Sequence, residues 1–177
     1  MTDAFSVPAN DPALRLWNQI DEGLRIQISR HLAGPPVQIG NLAHGLGLQV
    51  LSAAMPSEIS GQIRQRPEDL VYEIKVNLAD AAVRQRFTVA HEIGHFLLHK
   101  ADIDGDGITD TILYRSSLSD KKEAEANRIA AFLLLPWNAT NKWAQTKFGE
   151  AVQPKHLSEI ARAWHVSELT AGFRFGF

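Results

Sequence analysis

The sequence predicts an α+β domain, a small three-stranded sheet packed on helices and followed by a short helical C-terminal region. Three observations predict it. Apolar residues recur at three- and four-residue spacing over residues 12–32, 80–100 and 120–135, the period of helices that bury one face. Strand signals are confined to residues 48–76, between those helical stretches. The composition, 45% hydrophobic and 21% charged over 177 residues, is that of a globular chain. A chain of this length buries roughly 70% of its unfolded surface and needs no staples to hold a core.

Taken in order, Asp11-Pro12 reads as an N-cap followed by proline at the first helical position. Leu14, Trp17, Ile20, Leu24, Ile28 and Leu32 then line one face of a single amphipathic helix, which Gly34-Pro35-Pro36 stops. A short helix carrying Ile39, Leu42, Ala43 and Leu46 ends at Gly47. Residues 48–55 are apolar up to Pro56, residues 59–65 alternate weakly, and Arg66-Pro67-Glu68-Asp69 marks a turn before Val71, Tyr72, Ile74 and Val76. These are the three strands. Asp80 is placed to cap a long helix to about Lys100, with Val83, Phe87, Ala90, Gly94 and Leu98 along one side. Residues 101–119 are polar, rich in Gly and Asp, and read as a loop. Ser119 or Asp120 caps the next helix, which Pro136 ends. The tail holds two or three short helices, the clearest with Leu157, Ile160, Ala161 and Trp164.

Composition removes several function classes. The 18 Lys and Arg against 20 Asp and Glu leave a net charge of −2, too near neutrality for a general polyanion binder. The absence of cysteine excludes disulfides, thiolate zinc clusters, iron–sulfur ligation and a thiol nucleophile, and fits a reducing compartment. Residues 1–12 show no basic segment leading into an apolar one, and no apolar run approaches the length of a membrane span. The expectation is a soluble cytoplasmic protein.

The chemistry-bearing residues are His91-Glu92-Ile93-Gly94-His95. On a helix, positions i and i+4 share a face, so the two imidazoles can converge on one Zn²⁺. Glu92, rotated about 100° from His91, can sit beside the metal without ligating it and take a proton from water there. Two histidines on a helix can equally be a satisfied structural pair. Against that, Phe87, Val89, Phe96, Leu97 and Leu98 make this helix apolar nearly all round, and buried polar groups need a reason to be there. His99 is about 12 Å along an unbroken helix from His91, too far to share its metal, and is expected to cap the helix or pack under the site. The better third ligand is Glu123, with Asn127 one turn later on the same face to hydrogen-bond the far nitrogen of a ligating histidine. Alone, Glu123 would be a first-turn glutamate favoured by the helix dipole. Glu125, rotated about 200° from Glu123, is expected to face solvent.

The run Phe87-Thr88-Val89-Ala90-His91-Glu92-Ile93-Gly94-His95-Phe96-Leu97-Leu98-His99, followed by Leu113-Tyr114-Arg115-Ser116 and by Glu123-Ala124-Glu125-Ala126-Asn127-Arg128, resembles the ImmA/IrrE family of metallopeptidases. The resemblance runs from about residue 61 to 136. It implies a zincin-like core over residues 1–136, with residues 137–177 a helical region packed on it. It implies one zinc per chain at His91, His95 and Glu123, with Glu92 as general base. It also implies an endopeptidase whose substrate is an Xre-type helix-turn-helix repressor or antitoxin, cut to switch on phage, mobile-element or stress-response genes. The alternative is a non-proteolytic regulator or toxin–antitoxin component that binds such a partner through the metal cleft. Tyr114 and Arg115, between the two metal segments, are candidates for oxyanion or substrate contacts.

Two further motifs compete for attention. Residues 102–110 resemble the front of a calcium loop, but position 12 would be Leu113, where a bidentate Glu is needed. That stretch reads as a solvated acidic rim. Residues 157–175 have the outline of a helix-turn-helix, which opens a DNA-binding reading. Lys155, Arg162 and Arg174 against Glu159 and Glu168 bring little charge to it, and Trp164, Phe173, Phe175 and Phe177 read as packing or a partner surface.

Overall fold

The computed structural model describes residues 7–103, 108–111 and 120–177. Asp11 does cap the first helix, α1 (Pro12–Trp17), accepting from Ala13 N at 2.7 Å. The expected single N-terminal helix is two, however. The chain turns at residues 18–21, and Asp21 caps α2 (Glu22–Ser29) by accepting from Leu24 N at 3.2 Å. A second capping side chain inside a helical pattern offers the backbone a fresh start, which the apolar periodicity alone does not reveal. The helix α3 (Ile39–Gly45) follows.

The strands β1 (Leu48–Ala53), β2 (Ile59–Gln65) and β3 (Tyr72–Asn77) occupy the predicted stretches. The sheet has a fourth member, β4 (Ile108–Thr111), in the order β1-β3-β2-β4, where the sequence led us to expect three strands and a loop. Ile-Thr-Asp-Thr is short and mostly polar but three of its four residues are β-branched, which suits an edge strand. The Arg66-to-Leu70 turn makes β2 and β3 an antiparallel hairpin, while β1 runs parallel to β3 on the other side. Alternation then gives the sheet two different faces. Arg64, Glu73 and Lys75 stand on one, joined by ion pairs of 3.1 and 3.2 Å. Ile63, Ile74 and Val76, all buried, stand on the other and meet α4 (Ala82–Leu98).

The helix α4 is buried over eight consecutive residues, Thr88 to His95. The sheet covers one side and α6 (Asp120–Leu134) the other. Between them a short helix, α5 (Lys100–Ile103), leads towards β4. After Pro136 come α7 (Trp137–Phe148), a 3₁₀ turn at Pro154–His156, α8 (Leu157–Trp164) and α9 (Glu168–Phe175). Ile160, Trp164 and Ala171 join Ile129 and Leu133 in one continuous core.

A buried ion pair ties the two ends of the chain together. Arg174 of α9 donates to the Asp11 carboxylate at 2.7 Å and to the Leu135 carbonyl at 3.2 Å, with its guanidinium against the rings of Phe132 and Trp137. Asp11 therefore caps α1 and neutralises α9 at once. Removing one member of such a pair leaves an uncompensated buried charge, at a cost of about 3–5 kcal/mol. Urea unfolding of Arg174→Met should show a loss of that size. Asp11→Ala should lose at least as much, because the cap goes with the charge. The double variant should lose clearly less than the sum, because neither charge is then stranded.

Candidate metal centre

His91 and His95 lie one turn apart on α4, and Glu123 reaches them from the first turn of α6. The Nε2 atoms of the two histidines are 2.9 Å apart. Glu123 brings Oε2 to 3.3 Å from His91 Nε2 and Oε1 to 3.5 Å from His95 Nε2. The close approach of the helices makes this possible. A Cβ added to Gly94 would lie 3.0 Å from both the Cα and the carbonyl oxygen of Ala126. Glycine against alanine lets the two backbones touch, so a glutamate side chain on one spans to imidazoles on the other.

Hydrogen bonds behind the rings set their tautomers. Asn127 Oδ1 is 2.9 Å from His91 Nδ1. An amide oxygen only accepts, so Nδ1 carries the hydrogen and Nε2 the lone pair. His95 is oriented through a longer chain. His99 Nε2 is 3.1 Å from Glu125 Oε2, and His99 Nδ1 is 3.0 Å from His95 Nδ1. With the carboxylate accepting from His99 Nε2–H, a lone pair at His99 Nδ1 accepts from His95 Nδ1–H. His95 Nε2 is then a lone pair as well. Burial lowers the pKa of His95, Glu123 opposes that shift, and His91 and His99 add to it. The net result is the neutral imidazole that ligates metals.

Two lone pairs and a carboxylate converging in a buried space repel one another unless a cation lies among them. Four-coordinate bonds of about 2.0–2.1 Å place tetrahedral donors about 3.3 Å apart. The spacings of 2.9, 3.3 and 3.5 Å bracket that value, so the residues fit a divalent metal held by two imidazoles and a carboxylate. Among the described residues this is the one cluster of three His, Asp or Glu side chains close enough to share an ion.

Glu92 is fully buried on the neighbouring face of α4, turned towards β2. A Cβ at Gly61 would lie 3.1 Å from its Oε1 and 2.3 Å from Thr88 Cγ2. The bare backbone of β2 is what leaves room for both side chains. Isolated glycine within a strand pattern signals such an approach, and Gly61 could have been read that way.

The family model described as the IrrE N-terminal-like domain, a peptidase family, matches residues 43–175. The chain belongs to the IrrE N-terminal-like family. The match begins within α3 and reaches the end of α9, so the C-terminal helices fall inside the IrrE-like region. Among solved structures, a Mycobacterium tuberculosis transcriptional regulator is similar in fold, with a TM-score of 0.53 at 16% identity. The alignment covers 92% of this chain and 51% of that one, so the IrrE-like chain spans about half the length of that regulator. No curated protein matches the sequence.

His91, His95, Glu123 and Asn127 are thus brought together, while Tyr114 and Arg115 lie outside the described residues. His99 takes the C-cap position of α4 and packs under His95. Glu125 departs from expectation, because it pairs with His99 instead of facing solvent. A histidine every fourth residue from 91 to 99 carried that signal. In the acidic stretch, both carboxylate oxygens of Asp102 are taken by Lys122 Nζ at 2.9 Å, which argues against a calcium ligand there.

Two outcomes follow for the IrrE-like centre. Asn127→Ala and Glu125→Ala should each weaken divalent-metal affinity by about 10–100-fold, read by competition with a chromophoric chelator, whereas His91→Ala and Glu123→Ala should lose binding nearly completely. Gly94→Ala should force α4 and α6 apart and cost about 1–3 kcal/mol, and thermal unfolding of the metal-free protein will measure it.

Proposed function

We propose that the chain is a zinc-dependent endopeptidase of the cytoplasm. Its substrate would be a regulatory protein, an Xre-type helix-turn-helix repressor or antitoxin, whose cleavage derepresses phage, mobile-element or stress-response genes. The observation that carries the proposal is the convergence of two imidazole lone pairs and the Glu123 carboxylate on one point, with Glu92 buried one residue away from His91. Membership of a peptidase family supports it.

His91, His95 and Glu123 would hold the zinc, and Asn127 and His99 would keep both rings turned towards it. Bound there, zinc supplies Lewis acidity to a water and to the scissile carbonyl. Glu92 moves the proton. Its carboxylate accepts one hydrogen from the attacking water and returns it to the departing amine nitrogen, so the C–N bond breaks without an anionic leaving group. The low-dielectric position of Glu92 between α4 and β2 fixes its place for both transfers. The partner is read as a protein because the exposed face of α9 carries Leu169 and Phe173, while its one arginine, Arg174, is buried on Asp11. A DNA-contacting helix needs free cations.

A regulator that only binds its partner would not need Glu92. Glu92→Gln keeps the shape and removes the base, so it should retain close to one zinc per chain and lose about 10²–10⁴-fold in turnover. Wild type and variant would be incubated with an Xre-type repressor and the fragments weighed by mass spectrometry. Equal cleavage by both would take Glu92 out of the mechanism, and no cleavage by zinc-loaded wild type would favour the binding-only regulator.

A further inference from the structure

On α9 the residues Thr170, Ala171 and Arg174 turn inward, while Leu169 is 84% and Phe173 is 53% exposed. The two are one turn apart and form one wall of a cleft of about 670 Å³. Val83 and Phe87 of α4 and Asn127 and Arg128 of α6 supply the other walls. Asn127 is the residue that orients His91, and the Phe87 ring centroid is 6.4 Å from that of His91. The cleft therefore borders the residues that support His91, although none of the three candidate ligands lines it. A second cleft, of about 480 Å³, shares Arg128 and Phe173 with the first and continues to Asp11 and Trp137. Arg128 and Phe173 thus line both clefts.

The chemistry of the walls narrows the occupant. Four large apolar side chains converge, three of them exposed to water, and such patches are buried by partners. Arg84, at the cleft edge, is held by Ser60 Oγ at 2.7 Å and Asp80 at 3.3 Å. Arg128 has no carboxylate partner among the described residues. An aromatic and an arginine side by side are the residue types that dominate protein interfaces.

We infer that this cleft is a substrate subsite. It takes one large apolar side chain, Leu, Met or Phe, of a protein segment, while an Asp or Glu of the same segment pairs with Arg128. The inference rests on the peptidase reading for its consequence, the choice of cleavage site, but the binding stands without it. A purely polar segment would leave Leu169 and Phe173 wet. A nucleic acid would meet apolar walls and, among the described residues that line the cleft, one arginine without a carboxylate partner.

The test uses the zinc-loaded, full-length Glu92→Gln protein on an array of ten-residue peptides randomised at every position. Retained peptides should be enriched in Leu, Met or Phe and, at a fixed offset, in Asp or Glu. Phe173→Ser in the same background should weaken binding of the selected peptides by about tenfold or more, with zinc content and thermal midpoint unchanged. Arg128→Glu should invert the acidic preference to Lys or Arg. An array without enrichment, or enrichment that survives both substitutions, overturns the subsite. An acidic preference that persists in Arg128→Glu overturns its charged half. Cleavage of the selected peptides by wild type is scored separately. Peptides that bind through Phe173 and Arg128 but are never cut would defeat the peptidase reading and leave the cleft standing as a docking site.

Discussion

Everything at the metal centre depends on how closely α4 can lie between its two neighbours. On one side Gly94 meets the backbone of Ala126, and on the other Gly61 meets Thr88 and Glu92. A methyl group at either glycine would sit at 3.0 Å or less from a neighbouring atom. The first contact sets the reach from Glu123 to the two imidazoles. The second sets the space for Glu92. Sheet, α4 and α6 thus form a stack whose spacings are fixed by missing side chains, and the ligands are of the length those spacings demand.

That stack buries polar groups, which is tolerable only if each is partnered. The partners come from α6 for both rings, directly from Asn127 to His91 and through His99 from Glu125 to His95. One helix therefore supplies the candidate carboxylate ligand and both orienting groups, from positions 123, 125 and 127. Glu125 is on a different face from Glu123, and His99 is what bends the network round to reach it. A third histidine, useless as a ligand, becomes the link that lets a side chain two residues from Glu123 act on the opposite ring. The arrangement also explains why both rings present the same nitrogen: each Nδ1 is occupied by its support.

The long helices and the i, i+4 histidine pair were legible because they are local patterns with a physical period. So was Asp11, whose cap sits beside a proline. What escaped was of two kinds. The break at residues 18–21 and the strand at Ile108–Thr111 are short features in which local hydrogen bonding or β-branching outweighs a weak longer pattern. The roles of Glu125 and Arg174 are tertiary. Nothing in the chain near Glu125 announces His99, 26 residues earlier, and nothing near Arg174 announces Asp11, 163 residues away. Helical rotation placed Glu125 away from Glu123 correctly, but the inference that it faced water assumed that no third buried histidine waited there.

The same distinction separates the chemistry of the centre from its surroundings. The candidate ligands and base fall within residues 91–123, on two helices in direct contact, so their geometry is set by one packing interface. The apolar cleft beside them is assembled from α4, α6 and α9, and α9 is held in place by the Arg174–Asp11 pair across nearly the whole chain. Substitutions at Leu169 or Phe173, both largely in solvent, need not disturb the stack that spaces the ligands. Substitutions at Gly61, Gly94 or Asn127 cannot avoid it. A fold built this way can keep one metal-binding arrangement while the face it presents to a partner changes, because the two are anchored by different interactions.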